Sequence, residues 1–172
     1  YLYQKFLIMF KNLNKEQIES VIYENIIGRL GCHADDKTYV IPVSYAYDGK
    51  CIYVRTFEGQ KISMMRKNPN VCFQVDSMED MADWKSVIAW GTFEELTNEE
   101  ERNEGLKILI SRILPAISSE TMKLSPVWPF PTDDYTKIEG IVFKIHLTEK
   151  TGRCEILDRK SVVYGKSVDL GG

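Results

Sequence analysis

The sequence predicts a mainly β fold with peripheral helices, a six-stranded antiparallel barrel with helices at its ends. Three observations carry that expectation. Six runs rich in β-branched and aromatic residues follow one another, mostly through hairpins or short connections. Asp48-Gly49 stands between two of them, a residue pair that tight hairpins favour. Three further stretches place apolar residues at helical spacing, and two of these begin with a capping-box pattern.

Asn14 followed by Gln17 opens the first helix, and Ile18, Val21, Ile22 and Ile26 recur at helical spacing, so residues 14–26 are expected to be helical. Residues 27–32 form a short, partly apolar run that ends at His33-Ala-Asp-Asp36, where the acidic residues favour a turn. Residues 38–47 read as a strand. Pro42 within it cannot donate a ladder hydrogen bond, which points to an edge, a bulge or a ligand-facing opening. The return strand is 51–56. A short helix is expected over 60–68, stopped by Pro69. Residues 71–76 alternate as a half-buried strand, 77–83 read as an acidic loop, and 84–96 as a long strand. Thr97 with Glu100 opens a helix over 98–113, whose stripe is Leu106, Leu109, Ile110 and Ile113. Residues 115–131 hold four prolines and read as an irregular loop. A last strand is expected over 138–147.

With 172 residues the chain is expected to be one domain, over 14–157. Residues 1–13 read as an extension or tag-like arm and 158–172 as a disordered tail. The start of the chain is apolar with two lysines, but no small-residue cleavage site follows, so it is not read as a signal peptide. A net charge of −3 argues against nucleic acid as a partner. No apolar run reaches the ~20 residues of a membrane span, and a cytoplasmic protein is the expectation. Cys32, Cys51, Cys72 and Cys154 are scattered without a CxxC pair, which suits buried reduced thiols better than disulfides or zinc. No metal cluster is expected.

The chemistry concentrates in residues 38–76. Thr56, Gly59 and Lys61 stand where a strand ends and a helix begins. A helix N-terminus offers free N–H groups and partial positive charge, and Lys61, with Arg55 nearby, adds full charges, which suits a phosphate monoester. Taken alone, the loop reads first as an ordinary turn with a solvated lysine. Ile41-Pro-Val-Ser44 is neutral and apolar on one face, so a flat aromatic ligand could lie against its backbone; alone, it reads first as a core strand. His33 and His146 are the only histidines and neither accompanies a nucleophile motif. Such a chain can still do redox work if a cofactor brings the chemistry.

Gly28-Arg-Leu30, YVIPVSYAYDGKCIYVRT, GQK, RKNPNVCFQVD and WKSVIAWGTFEEL, in that order, resemble the pyridoxamine 5'-phosphate oxidase-like flavin-binding split barrels, in particular the subgroup that includes 5-nitroimidazole resistance proteins. The resemblance covers residues 14–157. It implies a six-stranded antiparallel split β-barrel and a homodimer with FMN at the subunit interface. The flavin ring would lie along Ile41, Pro42, Val43 and Ser44, with Val54, Arg55 and Thr56 also in contact. The phosphate would sit near Gln60 and Lys61. Ser86 and Val87, flanked by Trp84, would reach the partner's flavin. The activity it implies is an FMN-dependent reductase of an unknown small molecule; a flavin sensor without turnover, or a split barrel holding haem or a deazaflavin, are the alternatives. Two departures stand out. The oxidases proper carry a basic residue where this chain has Ser44, together with an arginine-bearing motif near the C-terminus that is not evident here, so oxidation of pyridoxamine phosphate is not expected. The resistance proteins often have histidine where this chain has Arg55.

Overall fold

Asn14 and Gln17 exchange the two hydrogen bonds of a capping box, at 2.8 and 2.9 Å, and so start the first helix where their spacing predicts. The computed structural model describes residues 7–112 and 134–158. In chain order they form β1 (Leu7–Asn12), α1 (Lys15–Glu24), β2 (Ile27–Ala34), β3 (Lys37–Ser44), β4 (Ala46–Tyr47), β5 (Cys51–Thr56), α2 (Gln60–Lys67), β6 (Asn70–Asp80), β7 (Asp83–Glu95), α3 (Glu99–Ser111), a 3-10 turn (Tyr135–Lys137) and β8 (Ile141–Asp158). The expected Pro-rich loop over 115–131 and the tail beyond Asp158 lie outside the described residues.

All pairings are antiparallel, and the order is β3-β2-β6-β7-β8-β5-β4, with β1 also against β8. This is the mainly β, helix-flanked architecture that the sequence predicts. The two ends of the order, β3 and β4, are neighbours in the chain, joined through Tyr45 alone. The sheet therefore curls back until its ends meet at one residue.

Four differences from the expected elements have physical causes. The run 38–47 breaks at Tyr45, because its ring turns into the core, 1% exposed, edge-on to Phe73. Residues 77–80 and Asp83 are strand rather than loop. Ser77↔Lys85 and Met78↔Trp84 extend the β6–β7 hairpin past the core, where residues 77–80, Met78 among them, are all exposed. β8 runs eleven residues beyond Leu147, the expected end. Its later half (TEKTGRCE) is too polar to announce a strand, yet it pairs with β7 throughout after a bulge at Trp90/Gly91. Finally, Leu7–Asn12, inside the expected arm, is a strand on that later half of β8. The two strands beyond the expected six are thus β1 and the piece cut off at Tyr45.

The main core lies inside the curl and includes Ile22, Leu30, Ile52, Ile62, Met65, Phe73, Val87, Phe143 and Ile145. A smaller cluster of Leu96, Leu106, Leu109, Ile138 and Val142 seats α3 on the outside of β5 and β8. Among the described residues no helix is long and apolar enough to cross a membrane.

Candidate ligand site at the split of the sheet

β4 pairs with β5 at two positions only, Ala46↔Tyr53 and Tyr47↔Ile52. Were that ladder to continue, Val54, Arg55 and Thr56 would face Tyr45, Ser44 and Val43. It stops instead. Among the described residues, β3 pairs only with β2, and the edge of Val54–Thr56 turned from β8 has no strand partner. Two lips result, residues 41–44 and 54–56, which are the two strand segments that the resemblance implicates. They share an apex at Tyr45 and part toward α2. Pro42, exposed and without an N–H, suits such an open edge. The side chains of Val43, Val54 and Thr56 point into the core, so these residues offer the split their backbone. Ile41 and Ser44 are half-buried.

At the open end of the split stands the N-terminus of α2. It differs from the other helices by construction. Asn14 and Asn98 cap α1 and α3 with their side chains, and acidic residues follow in both first turns. α2 has Gly59 at its cap position, no side-chain cap and no acid in its first turn, so its free N–H groups and positive end stay uncompensated. Gly59 has φ 169°, extended backbone open to any residue, and a Cβ there would meet nothing within 4 Å. Its role is to leave space. Gln60 is exposed; Lys61 is half-buried. Burial holds the Lys61 pKa below the ordinary lysine value, and the ionisable neighbour acting on it among the described residues is the buried Cys32 thiol of β2. Among the described residues no carboxylate pairs with this ammonium.

Two guanidinium groups flank the lips. Arg55, 7% exposed, donates from Nε to the Glu139 carbonyl at 2.7 Å, and its guanidinium lies 4.9 Å from the Phe57 ring centroid. Arg112, just past the end of α3, donates through Nη1 to the Tyr45 carbonyl and has Nη2 3.4 Å from Ser44 Oγ. Its Nε is buried without a partner, and burial pushes its pKa down to about 10. Sequence reasoning passes over Arg112, since nothing local marks a helix-end arginine that reaches a strand 68 positions away.

Trp84, Ser86 and Val87 are not brought to the split. Trp84 Nε1 donates to Glu155 at 2.8 Å, and Ser86 Oγ accepts from Gln74 at 3.2 Å. Both line a separate crevice of about 680 Å³ on β7 and β8, with Ile88, Lys150 and Arg153. The Val87 side chain is wholly inside the core. The histidines are remote from both places. His33 Nδ1 lies 3.1 Å from Thr38 Oγ1 at the β2–β3 hairpin, and His146 Nδ1 lies 3.4 Å from Cys51 Sγ on β5. Burial raises the Cys51 pKa, so that pair is no activated nucleophile. Among the described residues no group of three His, Cys, Asp or Glu could hold a metal ion.

The sequence profile of pyridoxamine 5'-phosphate oxidase matches residues 14–154. The chain belongs to that family. An uncharacterized protein of Rhizobium meliloti (strain 1021) is 36% identical over 84 residues, 49% of this chain, and the match spans 56% of that protein. Among solved structures, a FAD-binding protein from Mesorhizobium loti is 28% identical, covers 85% of this chain and 98% of its own, and superposes with a TM-score of 0.64. A proposed 5-nitroimidazole antibiotic resistance protein from Bacteroides thetaiotaomicron, 20% identical, covers 89% of this chain and 92% of its own with a TM-score of 0.63; at that identity the likeness is one of fold.

Within this family frame the residues present fit a flavin phosphate. An uncapped helix end, a half-buried lysine with no ion-pair partner among the described residues and a cradle left open by Gly59 are anion-binding features. The open backbone edge of β3 fits a flat ring that seeks hydrogen bonds.

Proposed function

We propose that this family member binds a flavin, FMN in the first instance, and works as an FMN-dependent oxidoreductase on a small molecule. The observation that carries the reading is the split itself: two open strand edges lead to an uncapped helix N-terminus beside Lys61, which has no ion-pair partner among the described residues. In this reading the phosphate rests on the N–H groups of α2 and on Lys61, and the ring lies along Ile41–Ser44. The bound flavin supplies the electron chemistry; the chain binds and orients it.

The reading includes a homodimer. Trp84 and Ser86 sit away from the split of their own chain, where they are free to flank the flavin of a second copy. Val40, Ile88 and Trp90 are exposed on the outer face of β3 and β7, apolar surface of the kind a subunit interface covers. A cytoplasmic location belongs to the same proposal, in keeping with four free cysteines.

Purified protein mixed with FMN or FAD should show the shifted absorbance bands and quenched emission of a bound flavin, with FMN held the tighter. Protein that is colourless and fails to bind either flavin overturns the proposal. A flavin carrier or sensor is the second reading, favoured by the scarcity of acid–base side chains along the lips. Turnover of a reduced nicotinamide with a nitro or quinone acceptor separates the two, since a sensor shows none.

A further inference from the structure

Arg112 is a cation in want of an anion. Its guanidinium is largely withdrawn from water, yet among the described residues it makes no ion pair, and one of its five N–H donors, Nε, has no acceptor. Such a group is costly unless paired and hydrogen-bonded. Its contacts lie at one place, the apex of the split: the Tyr45 carbonyl and, at 3.4 Å, Ser44 Oγ. α3 holds it there by burying Leu106 and Leu109.

The position matters relative to Lys61. Lys61 stands at the open end of the split and Arg112 at the apex. Between them, Ile41 to Ser44 spans roughly 10 Å at the rise of an extended strand, room for a three-ring aromatic system. A flavin with its phosphate at α2 and its ring along Ile41–Ser44 would bring one end of that ring to Arg112 at the apex. The planar fork of an arginine matches two acceptors in one plane, and the carbonyl edge of a flavin ring is such a pair. After a hydride donor delivers two electrons and one proton, the ring carries one negative charge, spread over that same edge.

We propose that Arg112, supplied from the end of α3 and not from β3, is the cation that receives the carbonyl edge of the bound flavin and holds its negative charge in the reduced state. The assignment rests on the flavin reading above and adds to it a residue, a ring orientation and a preference for the reduced cofactor. In this chain Ser44 leaves room for the guanidinium, and charge at the apex comes from a different element.

Three variants test this: Arg112→Gln, Arg112→Lys and Ser44→Asp. The readouts are the flavin dissociation constant, the midpoint potential of the bound flavin and the melting temperature of the flavin-free protein. Arg112→Gln should remain folded and lose at least tenfold in its preference for the reduced ring, a shift of about 30 mV to more negative potential for a two-electron couple. Arg112→Lys should retain part of that preference. Ser44→Asp should give the guanidinium an internal partner, so the flavin-free protein melts higher while flavin binds at least tenfold more weakly. Should Arg112→Gln fail to fold, Ser44→Asp decides alone through those opposite signs. Wild-type protein that binds no flavin sinks the functional reading and this inference together. Wild-type protein that binds flavin normally, with affinity and potential unchanged within twofold in folded Arg112→Gln, or with flavin binding unchanged in Ser44→Asp, overturns this inference alone.

Discussion

The Tyr45 hydroxyl donates to the Ile22 carbonyl at 2.6 Å. That bond ties α1 to the residue where the two ends of the sheet meet. The Tyr45 ring also packs edge-on against Phe73, 4.9 Å between centroids. Tyr45→Phe keeps the ring and strands the buried carbonyl, so it should cost about 1–2 kcal/mol, read as a lower urea midpoint at unchanged m-value. A larger loss would mean that the strands part at the apex as well.

Lys61→Ala should weaken FMN by roughly tenfold or more, the worth of a charge-assisted hydrogen bond, while riboflavin, which lacks the phosphate, binds almost as before. Titrations of both ligands by flavin fluorescence provide the comparison. Equal losses for the two would remove Lys61 from the phosphate site.

Arg66 holds Glu95 through both its Nε and Nη2, at 2.8 and 2.9 Å, and reaches Glu58 at 3.0 Å. The clamp joins α2 to the end of β7. The Arg66 hydrogen bond holds the Glu95 carboxyl below its usual range. Folded protein therefore binds fewer protons than unfolded protein as acid is added. The stabilisation is complete above the unfolded pKa and is lost as the pH falls through the lower folded value. Urea midpoints taken between about pH 6 and about pH 3 should fall, and Glu95→Gln should flatten the fall. An undiminished slope in Glu95→Gln would assign the acid sensitivity elsewhere.

Trp90 stands 40% exposed on the outer face, across β6 from Gly31 and Val40 through Cys72. If that face joins two copies, Trp90→Glu should yield a folded monomer by sedimentation, with flavin affinity reduced because the partner's crevice is gone. Wild-type protein that is monomeric with flavin bound would end the dimer proposal.

The elements most legible in the sequence were those with local signals. The Asn14 capping box, the Asp48-Gly49 turn and Cys51–Thr56 lie where their residues place them. The Asp35-Asp36 turn is equally local: both residues adopt positive φ, +51° and +56°, which acidic side chains tolerate. The later half of β8 was hidden because its pairing, not its apolarity, makes it a strand, and β1 was hidden with it. At the candidate site, 41–44 and 54–56 were legible as two separate segments; that they form the lips of one split follows only from the register, in which β4 pairs with β5 at just two positions. Arg112 left no trace, because its meaning depends on Ser44 and Tyr45, remote in the chain.

β8 pairs along one edge with β7 and along the other with β5 near its start and β1 near its end. The strand that three others share is thus also the last one described. During synthesis, β1 leaves the ribosome and waits for residues 153–158, its only strand partner among the described residues, while everything between is made. β5 likewise lacks its main neighbour until residue 141 appears. The nascent chain can close the β2–β3 and β6–β7 hairpins early, but the curl cannot be drawn shut until nearly all of the sheet has been delivered. Contacts this distant make for slow folding, and the open edges of β1 and β5 stay exposed meanwhile, which gives cellular chaperones a defined interval in which to act.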